Sequence, residues 1–221
     1  MFAGRKFAAF LFDMDGTVIN SIAAAERVWT GWAQRQGLDV AAFLPTIHGK
    51  RAVETIAGLM LPGIDPVLEA DALLKAEAAD LEGIVPIAGA VAFLSSLPPE
   101  RWAIATSAPR ELALLRMEAA GIPVPAVIVA AEDVTRGKSA PDCFRLAAEK
   151  LGFDARDCLI FEDAPAGIAA AEAAGATVMV ISATHTHPLA TPHASIASYD
   201  GLGITVDDRG GIELAPSRAA A

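Results

Sequence analysis

Phe7-Ala8-Ala9-Phe10-Leu11-Phe12-Asp13-Met14-Asp15-Gly16-Thr17-Val18 is the stretch that decides how the rest of the chain reads. An apolar run ends abruptly in two acids and a glycine, the pattern of a buried strand that stops at a polar site. In open α/β sheets, ligands sit just beyond the carboxyl ends of strands. Two carboxylates separated by one residue leave the strand close together without having to point the same way. One can attack a substrate or bind a metal while the other moves protons, a layout suited to phosphoryl transfer.

Beyond Val18 the texture is helical. Asn20-Ser21 reads as an N-cap, and Ile22, Ala25, Trp29 and Trp32 recur at helical spacing until Gly37. A second helix is expected from about Gly49–Arg51 to before Pro62-Gly63. A third has Asp65 as cap, Pro66 at its first position and Gly83 past its end. From Ile84 onward, strands alternate with helices. Strands are expected at 102–105, 126–130, 158–161 and 177–181, and helices near 88–97, 109–120, 141–150 and 165–174, the last three closed by Gly121, Gly152 and Gly175. Repeated βα units imply a doubly wound parallel sheet. The expected fold is therefore α/β, a Rossmann-like sheet core made of residues 1–18 and 84–221, with an all-helical cap, 19–83, inserted after the first strand. Hinges are expected near Val18-Ile19 and Ile84-Val85-Pro86. The tail, Ile204 to Leu214, alternates around Asp207-Asp208-Arg209-Gly210-Gly211 as a terminal hairpin would.

Bulk properties limit the function classes. A chain of 221 residues with 53% hydrophobic residues suffices for a core domain plus a smaller insertion. No apolar run approaches the ~18 residues of a membrane helix. The short run before Asp13 ends in acids instead of a small-residue cleavage site, so a cytoplasmic chain is expected. A net charge of −10 argues against nucleic acid and anionic membranes as partners. Two cysteines, Cys143 and Cys158, make neither a disulfide scaffold nor a zinc site and are read as buried free thiols. A capped core of this size can work as a monomer, and a monomer is expected.

Four chemistry-bearing groups fall at the carboxyl ends of four expected strands: Asp13 with Asp15, Thr106 with Ser107, Lys138, and Glu162 with Asp163. One edge of a parallel sheet gathers them despite their separation in sequence. A carboxylate can take a phosphoryl group as an aspartyl phosphate, while cations and hydrogen-bond donors hold the remaining oxygens. Several acids beside one lysine would repel a phosphate unless a hard divalent cation sat among them, and magnesium suits. Each motif alone has an ordinary reading. Asp-Gly is common turn material, Thr106-Ser107 can cap the helix ahead of Pro109, and Glu162-Asp163 can sit at a helix start for its dipole.

Together, Phe12-Asp13-Met14-Asp15-Gly16-Thr17, Thr106-Ser107, Gly137-Lys138-Ser139-Ala140-Pro141-Asp142 and Phe161-Glu162-Asp163-Ala164-Pro165-Ala166-Gly167 resemble, in order, the four signatures of the haloacid dehalogenase-like superfamily. The resemblance spans about residues 7 to 185 and is to its helical-cap phosphatase branch. It implies a magnesium-dependent phosphatase that works through an aspartyl-phosphate intermediate. In that reading Asp13 is nucleophile and magnesium ligand. Asp15 gives the metal its backbone carbonyl, and its side chain protonates the leaving alcohol and then activates water. Thr106 and the Ser107 backbone bind phosphate, and Lys138 neutralises Asp13 and the phosphoryl group. Asp163 is a further metal ligand, with Glu162 either on the metal or behind it. Ser139 departs from the proline usual after the lysine, which bears on loop stiffness more than on chemistry.

The segment Ile47-His48-Gly49-Lys50-Arg51-Ala52-Val53-Glu54-Thr55-Ile56 puts a glycine and two cations at a helix start, an anion or polyol site. It is similar to the His-Gly loop of bacterial sugar-phosphate and hexitol-phosphate phosphatases. His48, Gly49 and Lys50 are therefore the expected substrate contacts with Ser107, ahead of Arg51, and the substrate is a small phosphorylated sugar or polyol. The alternative is a phosphosugar mutase of the β-phosphoglucomutase kind. Such mutases carry an arginine three residues after the loop glycine, where this chain has Ala52. A non-catalytic phosphosugar-binding regulator would be marked by loss of Asp13, Asp15 or Lys138, and all are present. Trp29 and Trp32 are read as cap core, and His185, His187 and His193 as loop surface.

Overall fold

A computed structural model describes residue 2 and residues 4–216 of the chain. Its centre is β1 (Phe10–Phe12), in which every residue is fully buried. Phe10 and Phe12 enter one apolar cluster and Leu11 the other, on opposite faces of the sheet. This is the period-two alternation of a strand covered on both sides.

The chain leaves this strand, makes a short β2 (Ile19–Asn20), and runs through four helices: α1 (Ile22–Arg35), α2 (Val40–Phe43), α3 (Ala52–Gly58) and α4 (Pro66–Ala79). It returns through β3 (Val85–Pro86) and α5 (Ala90–Ser95). Then follow β4 (Trp102–Ala105), α6 (Arg110–Ala119), β5 (Val127–Val129), α7 (Asp142–Lys150), β6 (Leu159–Glu162), α8 (Pro165–Ala174) and β7 (Thr177–Ile181). The described residues close with β8 (Ala194–Ile196), β9 (Leu202–Val206) and β10 (Ile212–Pro216).

Six strands form one sheet in the order β5-β4-β1-β6-β7-β8, and every neighbouring pair is parallel. The chain builds outward from β1 to one side and then resumes on the other. That reversal makes the carboxyl end of β1 the topological switch point, where such sheets open a crevice. On one face α7 and α8 supply Cys143, Phe144, Ala147, Ala148, Ala170 and Ala171 to the core. On the other, Phe93, Trp102, Leu112, Met117 and Tyr199 pack around Phe10, Phe12 and Phe161. Both cysteines are buried and free.

The inserted helices carry an apolar cluster of their own, built on Trp29, Trp32, Phe43, Ile47, Ile56 and Leu73. At the start of α4 the Asp65 carboxylate accepts from the Val67 and Leu68 amides, with Pro66 in the first position, as the sequence predicts. Several details depart from expectation. The short α2 carries too little periodicity to announce itself, α3 is briefer than predicted, β2 and β3 are two-residue strands where none is expected, and β8 is an additional edge strand. The Asn20-Ser21 cap is also divided differently. Asn20 Oδ1 accepts from the Ile22 amide at 3.3 Å, whereas the Ser21 hydroxyl caps nothing and donates to Asp15.

The two connections to the helical insertion pair with one another, Ile19 opposite Pro86 and Asn20 opposite Val85. The tail forms the predicted antiparallel hairpin, β9 with β10. It is held to the start of the sheet by reciprocal Phe7 and Ile212 backbone bonds of 2.8 Å.

Candidate active site

Asp13 is the first residue beyond β1, and its amide continues the ladder to the Phe161 carbonyl at 2.9 Å. The chain then turns tightly, with the Val18 amide on Met14 O at 2.9 Å and the Gly16 amide on Ile19 O at 2.7 Å. Gly16 has φ +85°, and a Cβ there would lie 2.1 Å from Asp163 Oδ2. The glycine is thus required twice, for its left-handed backbone and for the approach of the Asp163 carboxylate. Asp163 Oδ1 accepts from Thr17 Oγ1 at 3.0 Å.

Lys138 reaches the same point from the loop before α7. Its ammonium donates to Asp13 Oδ1 and, at 2.8 Å, to Glu162 Oε1. The three side chains are 1%, 5% and 0% exposed, so solvent screens their charges little. Glu162 Oε2 accepts from the Ala164 amide at 2.7 Å. Burial pushes the Asp13 carboxyl up to about 7, Lys138 pulls against that rise, and the Glu162 charge adds to it. Asp163 is driven well above the usual carboxylate range, by burial first and by the Glu162 and Asp13 charges next. Burial works to lower Lys138, but Asp13 and Glu162 outweigh it and hold the ammonium above the ordinary lysine range.

Asp13, Glu162 and Asp163 each offer an oxygen within 4.8 Å of the others. Three buried carboxylates against one ammonium leave the cluster short of positive charge. Its donors are hard oxygens, the ligand type that magnesium takes. The donor set therefore fits a small divalent cation.

Thr106 follows β4 and is buried. Its hydroxyl oxygen accepts from the Ala108 amide at 3.0 Å, a local turn ahead of α6 and not a cap on that helix, whose start has no side-chain cap, and the hydroxyl proton stays available to a ligand. Ser107 Oγ donates to the Gly49 carbonyl at 3.0 Å, tying the sheet edge to the inserted helices. At Gly49, φ is +74° and a Cβ would lie 2.7 Å from the Ala164 methyl. The loop glycine thus lets this segment rest on the start of α8.

One cleft is lined by Asp13, Asp15, His48, Gly49, Lys50, Thr106 and Ser107, which gathers these sequence-predicted residues in one place. His48 Nε2 lies 3.3 Å from Glu26 Oε1. Arg51 turns elsewhere, donating to the carbonyls of Val134 at 3.1 Å and Thr135 at 2.9 Å, and pairing with Glu54. Glu54 in turn accepts from the Gly137 amide, next to Lys138. His185 lies 2.9 Å from the Asp163 carbonyl and His193 pairs with Glu172 at 2.8 Å, while His187 is exposed. The three histidines do not form a common metal-binding group.

Four residues of the cleft go beyond the sequence expectation: Ser21, expected as a cap; Trp29, expected as cap core; and Arg116 and Glu77, which line it from α6 and α4. The signal was present. Arg116 stands four residues after Leu112 and three after Ala113, and Glu77 stands four after Leu73 and three after Leu74. Each puts a charge where helical periodicity predicts an apolar side chain.

Residues 7–175 match the family described as haloacid dehalogenase-like hydrolase. The chain belongs to that family. Hexitol phosphatase A of Escherichia coli (strain K12) is 42% identical over 183 residues, covering 81% of this chain and 85% of that protein. Glycerol-1-phosphate phosphohydrolase 2 of Saccharomyces cerevisiae is 33% identical over 193 residues, covering 81% and 76% respectively. Among solved structures, a hydrolase from Pseudomonas syringae superposes with a TM-score of 0.69 at 26% identity, over 80% of this chain and 84% of that one. The haloacid dehalogenase-like hydrolase described here is thus an enzyme by family.

Proposed function

We propose that this hydrolase is a magnesium-dependent phosphatase of small sugar or polyol monophosphates, working through an aspartyl phosphate on Asp13. The observation that carries the reading is the convergence of Asp13, Thr106, Lys138 and Asp163 at the carboxyl edge of one parallel sheet. The substrate class is supported by the relatives named for hexitol and glycerol phosphates.

Asp13 and Asp163 would hold the cation through their carboxylates, with the Asp15 main-chain carbonyl beside them. Glu162 stands behind, because its two oxygens are already engaged by Lys138 and the Ala164 amide. The bound cation supplies positive charge that lets an anionic phosphate approach an acidic cluster. Asp13 Oδ attacks phosphorus, and Lys138 and the Thr106 hydroxyl bind the phosphoryl oxygens as charge redistributes. Asp15 gives its proton to the departing alcohol and recovers one from the water that attacks the aspartyl phosphate. The segment 19–83 acts as a cap over the core formed by 1–18 and 84–221, with its hinge at β2 and β3. His48, Gly49 and Lys50 face the substrate from the cap.

The mutase alternative is not favoured. Ala52 brings a methyl group to the cleft, and the neighbouring Arg51 is committed to backbone carbonyls of the core. A monomer is the proposed working state. No described helix is long and apolar enough to cross a membrane.

The test is phosphate release from a panel of hexitol, hexose, glycerol and nucleotide monophosphates, with magnesium or chelator, for wild type and Asp13→Asn. Release that needs magnesium, disappears in the variant and is strongest on a hexitol or hexose phosphate is the expected result. Phosphosugar isomerisation primed by a bisphosphate, without hydrolysis, would replace this reading with the mutase.

A further inference from the structure

The buried face of α6 consists of Leu112, Ala113, Met117 and one cation, Arg116. A guanidinium withdrawn from water is costly unless charged partners meet it, so its partners are informative. Nη1 donates to Asp15 Oδ1 at 3.0 Å, and Nη2 lies 3.3 Å from Glu77 Oε1. Asp15 belongs to the loop after β1 and Glu77 to the last turn of α4. One planar group therefore joins the sheet edge to the helical insertion.

Asp15 Oδ1 accepts a second bond, from the Ser21 hydroxyl at the start of α1. Both contacts fall on the same oxygen, which leaves Oδ2 without a protein hydrogen bond among the described residues. Asp15, Ser21, Glu77 and Arg116 all line the cleft. An aspartate on a turn otherwise rotates between several orientations. Two donors on one oxygen select the orientation in which the other oxygen stays free.

We propose that Arg116 is the positioning residue of Asp15, turning Oδ2 toward the ester oxygen of the substrate, and that Glu77 makes this alignment depend on a closed cap. This rests on the reading of Asp15 as the proton donor to the leaving alcohol. In that step the P–O bond to the alcohol breaks, its electron pair stays on the alcohol oxygen, and the Oδ2 proton moves there. In the next, water attacks the aspartyl phosphate, its proton passes to Oδ2, and the Asp13 carboxylate is released with inorganic phosphate. Arg116 changes no bond in either step. Moving the cap away would take Glu77 from the guanidinium and loosen its hold on Asp15.

Proton donation matters most for a strongly basic leaving group and least for p-nitrophenolate. The experiment compares kcat/KM for a hexitol phosphate, phenyl phosphate and p-nitrophenyl phosphate in wild type, Arg116→Met and Glu77→Gln. Because kcat/KM covers only steps up to alcohol departure, the later attack of water does not enter. For Arg116→Met, a fall of about 30–100-fold is expected on the hexitol phosphate, a smaller one on phenyl phosphate, and about threefold or less on p-nitrophenyl phosphate. Glu77→Gln keeps the side-chain shape and should give the same gradient at roughly a third of its size on a logarithmic scale. It carries the test if Arg116→Met does not fold. Equal losses on all three esters, or no loss on any, would overturn the positioning role while leaving the phosphatase reading intact. A wild type that releases phosphate from none of them would overturn the phosphatase reading, and the positioning role with it.

Discussion

Lys138 donates to Glu162 at 2.8 Å and to Asp13 in the same buried cluster, so a single ammonium serves two carboxylates drawn from different strands. Removing it leaves both acids buried and unmatched. For Lys138→Ala, phosphate release should fall by about a thousandfold on the proposed reading, in which this cation binds the phosphoryl oxygens. The metal-free protein should lose about 3–5 kcal/mol of stability, the scale of a broken buried pair. Denaturant titration in chelator checks the second figure separately from the assay.

The Asp163 carboxylate fits only because residue 16 has no side chain. Gly16→Ala introduces a Cβ 2.1 Å from Asp163 Oδ2 on a backbone at φ +85°. The carboxylate must swing away, and the magnesium concentration for half-maximal activity should rise by about tenfold or more. A magnesium titration of the variant with unchanged affinity would remove Asp163 from the ligand set.

Metal-free protein should have an unusual pH dependence. Asp13 is raised by burial to about 7, and Asp163 is raised as well. An acid whose folded pKa lies above its unfolded value near 3.8 binds a proton more readily in the folded state. Its contribution is therefore fully present below about pH 4 and is lost as pH rises through about 7. In chelator these two groups should make the folded state gain stability as pH falls from about 7.5 toward 5. Saturating magnesium should flatten or reverse that trend. Thermal unfolding across this window, with and without the metal, measures the slope directly.

Arg51 ties the start of α3 to the loop between β5 and α7, and on the proposed reading this contact holds the cap closed. Arg51→Ala removes its bonds to the Val134 and Thr135 carbonyls. A closed form weakened by about 1 kcal/mol should raise KM about fivefold and leave kcat within about twofold. A loss confined to kcat would instead implicate Arg51 in the chemistry.

Much of this was legible in the chain because strand ends and candidate site residues coincide. Asp13, Thr106 and Glu162 each close or follow a short apolar run whose length and place between helices mark it as a buried parallel strand. One sheet edge then brings them together without any long-range information. Lys138 is marked by its place ahead of Pro141. Arg116 and Glu77 stand in the sequence only as charges at apolar positions, since their meaning lies in a contact between two helices whose relative orientation no local pattern specifies. Ser21 departs from its expected role for a related reason. A serine at a helix start ordinarily caps its own helix, and only the return of the β1 loop gives Asp15 the stronger claim on its hydroxyl. The edge strand β8 and the short α2 lack the length at which periodicity becomes a signal.

The pairing of Ile19 with Pro86 and Asn20 with Val85 gives the helical insertion a doorway in which entrance and exit are the same two-rung ladder. Everything between those rungs can be exchanged in evolution for a segment of another shape without reregistering a single strand of the sheet. On the proposed reading, the segment between the rungs sets the substrate and the sheet edge beneath it carries the phosphoryl chemistry, so the two can change independently. Arg116 sets one condition on such an exchange: any incoming segment must offer an acid where Glu77 now stands, or leave a buried cation with Asp15 as its one acidic partner among the described residues.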